Sequence, residues 1–363
     1  MAYAPRVAKR VVLHIGAMKS GTSFIQNVLH TNRARLQEHD ILFAGERWRG
    51  QVLAVKELSE RGGEGQEPIT LDGPWQRLVD VVNEWPGTAI VSMEFLAPRQ
   101  TPKIEIIQEA FAGADLQVVL TARDLARSLP SMWTESMQNR GVRTWDEFLD
   151  SVRTQDMSDK PGRWFWKHQR ISEIASRWSG AVGRDHFTLI TVPPKGAPPG
   201  VLWKRFASVA GIPADLCDTD VRSNPGIDAA SALVLRGLNE RLAEDDFSRQ
   251  DYEWIVKGAL AKRGLVERGR DTVPLGMDER WVRRASRREL GKLRKLNLRV
   301  VGDIGELESR PVPGVHTNKV TAEQQLEAAL DGMAFLVTQQ AERGRRGPPM
   351  KQSLESEDDE MTP

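Results

Sequence analysis

Cysteine, tyrosine and net charge are all scarce in this sequence. Its one cysteine, Cys217, can form neither an internal disulfide nor a cysteine-based metal cluster, which favours a reducing compartment. The 51 lysines and arginines nearly cancel the 50 acidic residues. Because no overall field draws the chain to nucleic acid or to a membrane surface, we expect no nucleic-acid partner, and any anion site must be local.

Long hydrophobic runs are missing as well. No stretch approaches the ~18 consecutive apolar residues that suggest a spanning helix, so we expect no transmembrane segment. The apolar run at 11–16 follows a basic N-terminus, but it is too short for a signal-peptide core and leads directly into a glycine-containing loop. These absences predict a soluble, cytoplasmic protein. The 363 residues, 40% of them hydrophobic, are enough for a substantial core.

Short apolar runs alternate with helical patterns in the first half of the chain. Strands that are buried on both faces of a parallel sheet have such continuous apolar character, and the predicted ones are Val11–Gly16, Ala89–Phe95, Leu116–Ala122 and Phe187–Val192. Helical periodicity predicts helices at Thr22–Thr31, Pro74–Glu84, Lys103–Phe111, Leu125–Asn139, Trp145–Val152 and Trp166–Trp178. The alternation predicts an α/β fold with an open, mainly parallel sheet flanked by helices.

The second half of the chain is predicted to be rich in helices. From about Gly200 the pattern predicts helices at Val201–Val209, Asp228–Ala243, Asp251–Arg263, Glu279–Leu296 and Ala322–Arg343. Since no strong linker separates them from the sheet, we predict a single α/β domain over residues 1–345. Residues 346–363 are rich in proline and then acidic, and because they offer little apolar surface to bury, we predict an acidic disordered tail.

The segment at 11–24, VVLHIGAMKSGTSF, joins a buried strand to the start of a helix through a glycine-containing loop. This arrangement points backbone N–H groups and the positive end of a helix at one place, which makes an anion site of the P-loop type. Glycines allow close approach of the backbone, a lysine adds a full charge, and hydroxyl groups add hydrogen-bond donors. The predicted phosphate-binding residues are Gly16, Lys19, Ser20, Gly21, Thr22 and Ser23.

The position of the lysine distinguishes a Walker A loop from other phosphate-binding loops. In a Walker A loop, G-x-x-x-x-G-K-[ST], the lysine follows the second glycine directly, whereas here Thr22 follows Gly21 and Lys19 lies two residues before that glycine. This disfavours an ordinary ATP or GTP hydrolase. Three alternatives stay open: a P-loop kinase of unusual motif, which would need Mg²⁺ and an acid to hold it, a non-catalytic nucleotide-binding protein, and a plain glycine-rich turn with a solvated lysine.

A second block, LQVVLTARDLARSLPSMW at 116–133, also leads from a buried strand into a helix. Arg123 lies at the carboxyl end of the strand, where open α/β sheets bind their ligands, and Asp124 is a plausible cap for the helix. Ser131 follows two helical turns later. A guanidinium fork and a hydroxyl donor suit a terminal phosphate, although the pair alone also fits a capped helix with a surface arginine.

Glu94 lies between these two blocks, at the end of the predicted strand 89–95. A carboxylate there is expected to face the crevice at the carboxyl edge of the sheet. When partly desolvated, it is a competent general base; a rim glutamate paired with a neighbouring cation is the plainer alternative. His14, on the first strand, is a rival base, but we favour a role in the hydrogen-bonded scaffold.

Taken together, these motifs resemble those of the sulfotransferases that use 3′-phosphoadenosine 5′-phosphosulfate (PAPS). The loop is similar to the 5′-phosphosulfate loop of that family, typically Lys-Ser-Gly-Thr-[Thr/Ser], and Arg123 with Ser131 matches its 3′-phosphate motif residue by residue. Members of the family use His or Glu near the position of Glu94. The resemblance is specific over 11–133 and weaker up to about Gly226. The sequence as a whole is similar to those of bacterial, especially actinobacterial, members.

The resemblance implies in-line transfer of a sulfuryl group from PAPS to a hydroxyl or an amine, which leaves adenosine 3′,5′-bisphosphate (PAP). It assigns Glu94 as the base for the acceptor and Lys19 as the group that stabilises charge on the departing phosphate oxygen. No metal is implied. The acceptor, a small molecule, a lipid or a glycan, is not identified, nor is the oligomeric state. Two weaker signals are a loop at Arg222–Gly226 and a basic amphipathic helix at 279–299.

Overall fold

The computed structural model of the protein describes residues 9–45, 48–156, 158–221, 226–244, 247–266, 268 and 272–345. The predicted tail at 346–363 and the weaker signal at 222–224 lie outside these residues. Among the described helices, none is long and apolar enough to cross a membrane.

A single parallel sheet of six strands organises the fold. The strands are β1 (Arg10–His14), β2 (Ile41–Phe43), β3 (Thr88–Ser92), β4 (Asp115–Ala122), β5 (Phe187–Thr191) and β6 (Arg299–Val301). Their order across the sheet is β2-β3-β1-β4-β5-β6, and every pair of neighbours is parallel. The predicted fold class, an open parallel sheet flanked by helices, is therefore confirmed.

Helices make up much of the rest of the chain that the structure describes. They are α1 (Thr22–Thr31), α2 (Arg33–Gln37), α3 (Trp48–Glu60), α4 (Pro74–Asn83), α5 (Thr101–Ala110), α6 (Leu125–Met137), α7 (Trp145–Thr154), α8 (Lys160–Gln169), α9 (Ile171–Val182), α10 (Val201–Ala210), α11 (Ala229–Glu244), α12 (Arg249–Asp251), α13 (Arg280–Lys295) and α14 (Ala322–Arg345). A π-helix at Tyr252–Gly264 follows α12 directly, and short 3-10 helices lie at Glu94–Leu96, Arg184–His186, Ile304–Leu307 and Thr317–Lys319.

Several helix boundaries follow local sequence signals. Helix α4 begins with Pro74, whose missing N–H costs nothing at the first helical position. Helix α7 begins with a capping box, in which the Thr144 hydroxyl accepts from the Glu147 N–H and the Glu147 carboxylate accepts from the Thr144 N–H. Such short-range signals explain why these starting points could be predicted from sequence.

The sheet buries both of its faces, as its continuous apolar strands predict. Successive side chains of a strand point to opposite faces, so Val12 of β1 packs with α1, α2 and α10 on one side, whereas Val11 and Leu13 pack on the other with α4, α9 and α13. The basic helix α13 buries Val282, Ala285, Ser286, Leu290 and Leu293 and keeps its cations outward. The amphipathic character predicted for this segment is confirmed.

By its internal contacts the chain divides into two compact units. The first comprises Met1–Ser136, Arg143–Gly226 and Pro274–His316 and contains the whole sheet. The second comprises Met137–Val142, Ile227–Val273 and Thr317–Pro363; within it, α11 packs on α14, and the buried Arg268 guanidinium pairs with Asp228 at 3.2 Å. A single domain over 1–345 stays a prediction.

The secondary structure predicted from the sequence differs from the structure in three respects. Two strands, β2 and β6, were missed because runs of three residues carry no readable period. The single helix predicted at 166–178 is two helices, α8 and α9, which are separated by Arg170 (φ −78°, ψ 74°); no glycine or proline marks the break. The segment 251–263 was predicted as a helix but is a π-helix over most of its length.

Candidate active site

Three neighbouring strands bring the predicted site residues to one edge of the sheet. Because β1 lies between β3 and β4 and all three are parallel, their carboxyl ends open at the same side. The loop after β1 contains Gly16 and Lys19, Glu94 follows β3, and Arg123 follows β4. This edge is where ligands of open α/β sheets bind.

The phosphate loop has the backbone that its glycines predict. Gly16 has no room for a side chain, because a Cβ there would collide with Thr121 Oγ1 and lie 2.6 Å from Thr22 Oγ1. Gly21 caps helix α1 with a left-handed backbone (φ 83°) and, being a glycine, provides no side-chain cap for the N–H groups of the first turn. Lys19 is also left-handed, with φ 63°. The loop therefore delivers the open N-terminus of a ten-residue helix to the edge of the sheet.

The three hydroxyl groups of the loop have different surroundings. Ser20 is fully buried, and its Oγ donates to the Ala17 carbonyl at 2.5 Å, so it is used inside the loop. Thr22 is 4% exposed, and its Oγ1 has no hydrogen-bond partner among the described residues. Ser23, one residue further, is exposed at the start of α1. A buried hydroxyl without a partner beside a helix N-terminus fits an anionic ligand at this place.

A chain of buried hydrogen bonds connects the loop to the strands of the sheet. His14 Nδ1 lies 2.8 Å from Ser92 Oγ of β3, and His14 Nε2 lies 3.0 Å from Thr121 Oγ1 of β4. Thr121 Oγ1 is in turn 2.7 Å from Ser20 Oγ. The chain therefore connects three adjacent strands to the phosphate loop, and each of its members is at most 1% exposed.

The direction of these hydrogen bonds follows from Ser20 and from the burial of His14. Since Ser20 gives its proton to a carbonyl, Thr121 donates to Ser20, and His14 Nε2–H donates to Thr121. Burial lowers the pKa of His14 to about 3, so the ring is a neutral imidazole with its proton on Nε2. Its Nδ1 therefore accepts from the Ser92 hydroxyl. The geometry favours the scaffold role over the role of a base.

The second predicted pair is in contact. Arg123 Nη2 lies 2.9 Å from Ser131 Oγ, across two turns of α6, and also donates to the Arg127 carbonyl at 2.8 Å. Its Nε is buried without a hydrogen-bond partner in the part of the chain that the structure describes. Burial first, and then the positive charge of Arg127, lower the pKa of Arg123 to about 10, while Asp124 acts in the opposite direction. A buried cation with an unused donor fits an anion.

Arg127 and Asp124 pair with each other beside this contact. The Asp124 carboxylate caps α6 by accepting from the Arg127 N–H at 2.9 Å, and it also pairs with the Arg127 guanidinium. That guanidinium donates to the Pro193 carbonyl at 2.8 Å, just after β5. All three nitrogens of the Arg127 side chain are thus engaged with protein groups.

The sequence predicted that Glu94 lies at the end of a strand over 89–95, and the structure shows that it does not. Strand β3 ends at Ser92, and Glu94 begins the single turn of 3-10 helix at 94–96. Its side chain hydrogen-bonds with Gln26 of α1, which also donates to the Ser92 carbonyl at 2.7 Å. The turn was missed because a segment of three residues carries no readable period and cannot be distinguished from a strand end by pattern alone. The carboxylate still lies at the predicted edge of the sheet.

Electrostatics at Glu94 favour its protonated form. Burial is the main cause that raises the pKa of Glu94, and the negative charge of Glu135 adds to it. Its own backbone N–H, the amide of Gln26 and the charge of Lys19 act in the opposite direction. Oε2 is inaccessible and has no hydrogen-bond partner within the described residues. A carboxyl with a raised pKa and an unused oxygen suits a proton acceptor.

Lys19 has a partner on another element. Its Nζ donates to Glu135 Oε2 at 2.9 Å, and the two side chains are 27% and 19% exposed. Glu135 lies on α6, one turn beyond Ser131. Trp133 of the same helix is fully buried.

Two supporting residues were missed altogether. Gln26 lies one turn after Thr22 on α1, and Gln169 at the end of α8 donates to the Met18 carbonyl of the loop at 2.7 Å. Both are buried amides, and a polar residue on an otherwise apolar helix face was the available signal. Their partners lie 66 and 151 residues away in the chain, so the pairing itself has no sequence signature.

Comparisons with known proteins add one likeness. No protein-family model and no curated protein matches the chain. Among solved structures, the chain is similar to a sulfotransferase from Alicyclobacillus acidocaldarius, with a TM-score of 0.39 and 17% identity over 69% of this chain and 100% of that one. At that TM-score the likeness carries no conclusion about this chain. In the described residues, no group of three or more His, Cys, Asp or Glu could hold a metal ion.

Proposed function

We propose that this chain is a sulfotransferase that moves a sulfuryl group from PAPS to a hydroxyl or an amine of a small-molecule, lipid or glycan acceptor. The observation that supports the proposal is the contact of Arg123 with Ser131 at 2.9 Å, which we assign as a second anion site beside the phosphate loop. Arg123 follows β4, the direct neighbour of β1. A nucleotide with phosphate groups on both its 3′ and 5′ positions needs two such sites, whereas ADP or ATP needs one.

The loop residues suit the 5′ end of that donor. The open N-terminus of α1 and the unpartnered Thr22 hydroxyl supply hydrogen-bond donors, and Lys19 supplies a full charge. Gly16 and Gly21 let the backbone approach closely. Ser20 contributes through the shape of the loop, since its hydroxyl donates to the Ala17 carbonyl, and Ser23 lies exposed at the rim.

In the proposed reaction, the acceptor oxygen or nitrogen attacks the sulfur of PAPS as the bond from sulfur to the phosphate oxygen breaks. One new S–O or S–N bond replaces one S–O bond, and PAP leaves. Glu94 takes the proton of the acceptor, and Lys19 stabilises the negative charge that develops on the departing oxygen. Because positioning and electrostatic stabilisation provide the catalysis, no metal ion is required in this scheme.

The proposed location is the cytoplasm, and the proposed relatives are bacterial sulfotransferases. A single thiol, Cys217, and the likeness of the loop motif support these two points.

The test is a comparison of nucleotide affinities by calorimetry. We expect PAP to bind at least about tenfold more tightly than adenosine 5′-monophosphate, which lacks only the 3′-phosphate, because a charge-assisted hydrogen bond is worth roughly 1.5–3 kcal/mol. ADP should also bind less tightly than PAP. Equal affinities for PAP and the two 5′-nucleotides would contradict the proposal. Turnover of ATP with Mg²⁺, without transfer from labelled PAPS, would instead indicate the kinase alternative.

A further inference from the structure

Lys19 forms an ion pair with a residue of another element. Its ammonium group lies 2.9 Å from Glu135 Oε2, in an ion pair that joins the phosphate loop to α6. The proposed function needs the same ammonium group on the donor, where the phosphosulfate places its charge. A lysine carries a single positive charge, so a carboxylate and a phosphosulfate compete for it.

Glu135 also acts on the proposed base. Its negative charge raises the pKa of Glu94, whereas the positive charge of Lys19 lowers it. The three side chains therefore form one electrostatic cluster with a single cation and two carboxyl groups. If the Lys19 ammonium group moves away, the two carboxyl groups lose the positive charge beside them. The pKa of Glu94 then rises further, because the charge that lowered it is gone.

We propose that Glu135 is a positioning residue that holds Lys19 in the donor-free protein, and that the donor takes Lys19 from it on binding. This inference rests on the proposed function, because it assigns Lys19 to the donor. The exchange has two consequences. The loop is kept in one conformation until the donor arrives, and departure of Lys19 makes Glu94 a stronger base only when a donor is present.

A purely structural ion pair would behave differently. If the pair only stabilises the fold, removing the carboxylate loosens the loop and weakens nucleotide binding or leaves it unchanged. If the pair competes with the donor, removing the carboxylate strengthens nucleotide binding, and does so only through Lys19. The sign of the effect therefore distinguishes the two roles, and a double-mutant cycle isolates the dependence on Lys19.

The experiment measures PAP affinity by calorimetry in four proteins: the wild type, Glu135→Gln, Lys19→Met and the double variant. We expect Glu135→Gln to bind PAP about two- to fivefold more tightly, the usual size of a partly exposed ion pair that no longer has to be broken. We expect Lys19→Met to bind PAP more weakly. In the Lys19→Met background, Glu135→Gln should no longer strengthen binding.

Glu105→Gln provides the matched control, since it removes one negative charge from an exposed position on α5. It should leave PAP affinity unchanged. Weaker or unchanged binding of PAP by folded Glu135→Gln would overturn the inference, as would an equal gain in the Lys19→Met background. If the wild type binds PAP no better than adenosine 5′-monophosphate, the proposed function itself fails. If that preference holds without the coupling, only the role of Glu135 is lost.

Discussion

Glu94 shows at the scale of one residue how burial prepares a side chain for chemistry. Its carboxyl group is buried just after β3, hydrogen-bonds with Gln26 and lies within the field of Lys19 and Glu135. The cost of burying a charge is the largest of these influences and raises the pKa. A base with a raised pKa accepts a proton more readily, provided that the pH is high enough to ionise it.

The first prediction at this scale concerns the pH dependence of turnover. Since Glu94 must be ionised to act, turnover should rise with pH through a pKa above the ordinary glutamate value of about 4.3. Glu94→Gln keeps the size of the side chain but cannot take the proton, so turnover should fall by about 10²–10⁴-fold and the acidic limb should disappear. PAP affinity should stay within a small factor. Transfer from labelled PAPS to the best acceptor of an alcohol, phenol and amine panel provides the measurement.

A near-normal rate in Glu94→Gln would contradict the assignment. If His14→Gln were then folded but inactive, the role of base would pass to His14. The structure argues against that outcome, because both ring nitrogens of His14 are engaged and its pKa is lowered to about 3.

Arg123 is the second residue whose burial has a consequence. Burial lowers its pKa, which means that the folded protein disfavours the charged guanidinium that it nevertheless contains. A bound phosphate would offset that cost. In the proposed function, the buried charge therefore lowers the free energy of unfolding without a donor and increases the affinity for the donor.

We predict that Arg123→Ala weakens PAP binding by roughly 1.5–3 kcal/mol, the worth of a charge-assisted hydrogen bond. The free energy of unfolding should stay the same or rise, since a poorly solvated charge is removed. Calorimetry and urea denaturation measure the two effects. Arg123→Lys keeps the positive charge but lacks the planar guanidinium. Its PAP affinity should therefore lie between those of the wild type and Arg123→Ala. Unchanged PAP affinity in a folded Arg123→Ala protein would remove the second anion site.

At the scale of elements, the phosphate loop depends on the strands on either side of it. The hydrogen bonds from Ser92 through His14 and Thr121 to Ser20 connect β3, β1 and β4 to the loop. The backbone adds to this, because the Ala17 N–H donates to the Thr121 carbonyl at 2.8 Å. A rigid loop costs little entropy when its amides meet a ligand.

We predict that His14→Leu destabilises the protein, because it leaves the Ser92 and Thr121 hydroxyls without the ring. Each buried group that loses its partner costs about 1–3 kcal/mol, and urea denaturation at neutral pH should show this loss. The substitution should also change the pH dependence of stability. The pKa of His14 is about 3 in the folded protein and about 6.5 in the unfolded chain, so the unfolded state binds the extra proton between these values.

Wild-type stability should therefore gain from this group as the pH rises from about 3 to 6.5, and the His14→Leu protein should lack that contribution. His30→Leu, at an exposed position on α1, is the control and should cost little stability. A His14→Leu protein as stable as the wild type would show that the hydrogen-bond chain does not support the loop.

At the scale of the whole molecule, strand order decides which residues meet. Gly16, Glu94 and Arg123 come together because β3, β1 and β4 are adjacent and parallel. Two of the three positions are separated by 78 residues or more from Gly16 in the sequence. The prediction that they share one edge required only that the sheet be parallel and open, which the structure shows.

The last prediction concerns the C-terminal tail at 346–363, which lies outside the described residues. Deletion of Gly344–Pro363, which also removes the last two residues of α14, should leave the melting temperature within about 1 °C and PAP affinity unchanged, because an acidic segment with few apolar residues adds little to a core. Thermal denaturation and calorimetry on the full and shortened chains provide the measurement. A clear loss of either quantity would show that the tail docks on the protein.

The sequence by itself determined the local parts of this protein. The loop at 16–23 depends on glycines, one lysine and a helix start that are contiguous in the chain, and helix α1 has the predicted bounds Thr22–Thr31. The Arg123–Ser131 contact joins a residue just before α6 to one within it, eight positions later, so the short-range spacing specifies it. Alternating apolar runs and helices specified a parallel sheet, because strands buried on both faces leave a recognisable pattern.

Only the tertiary structure decided the long-range partners. The contact of Lys19 with Glu135 spans 116 residues, and that of His14 with Thr121 spans 107. The one-turn helix that presents Glu94 and the break at Arg170 were likewise decided outside the local pattern. The reason is physical: periodicity tells which face of an element is buried, but the identity of the group opposite depends on the order and register of strands, which are set by the packing of the whole sheet.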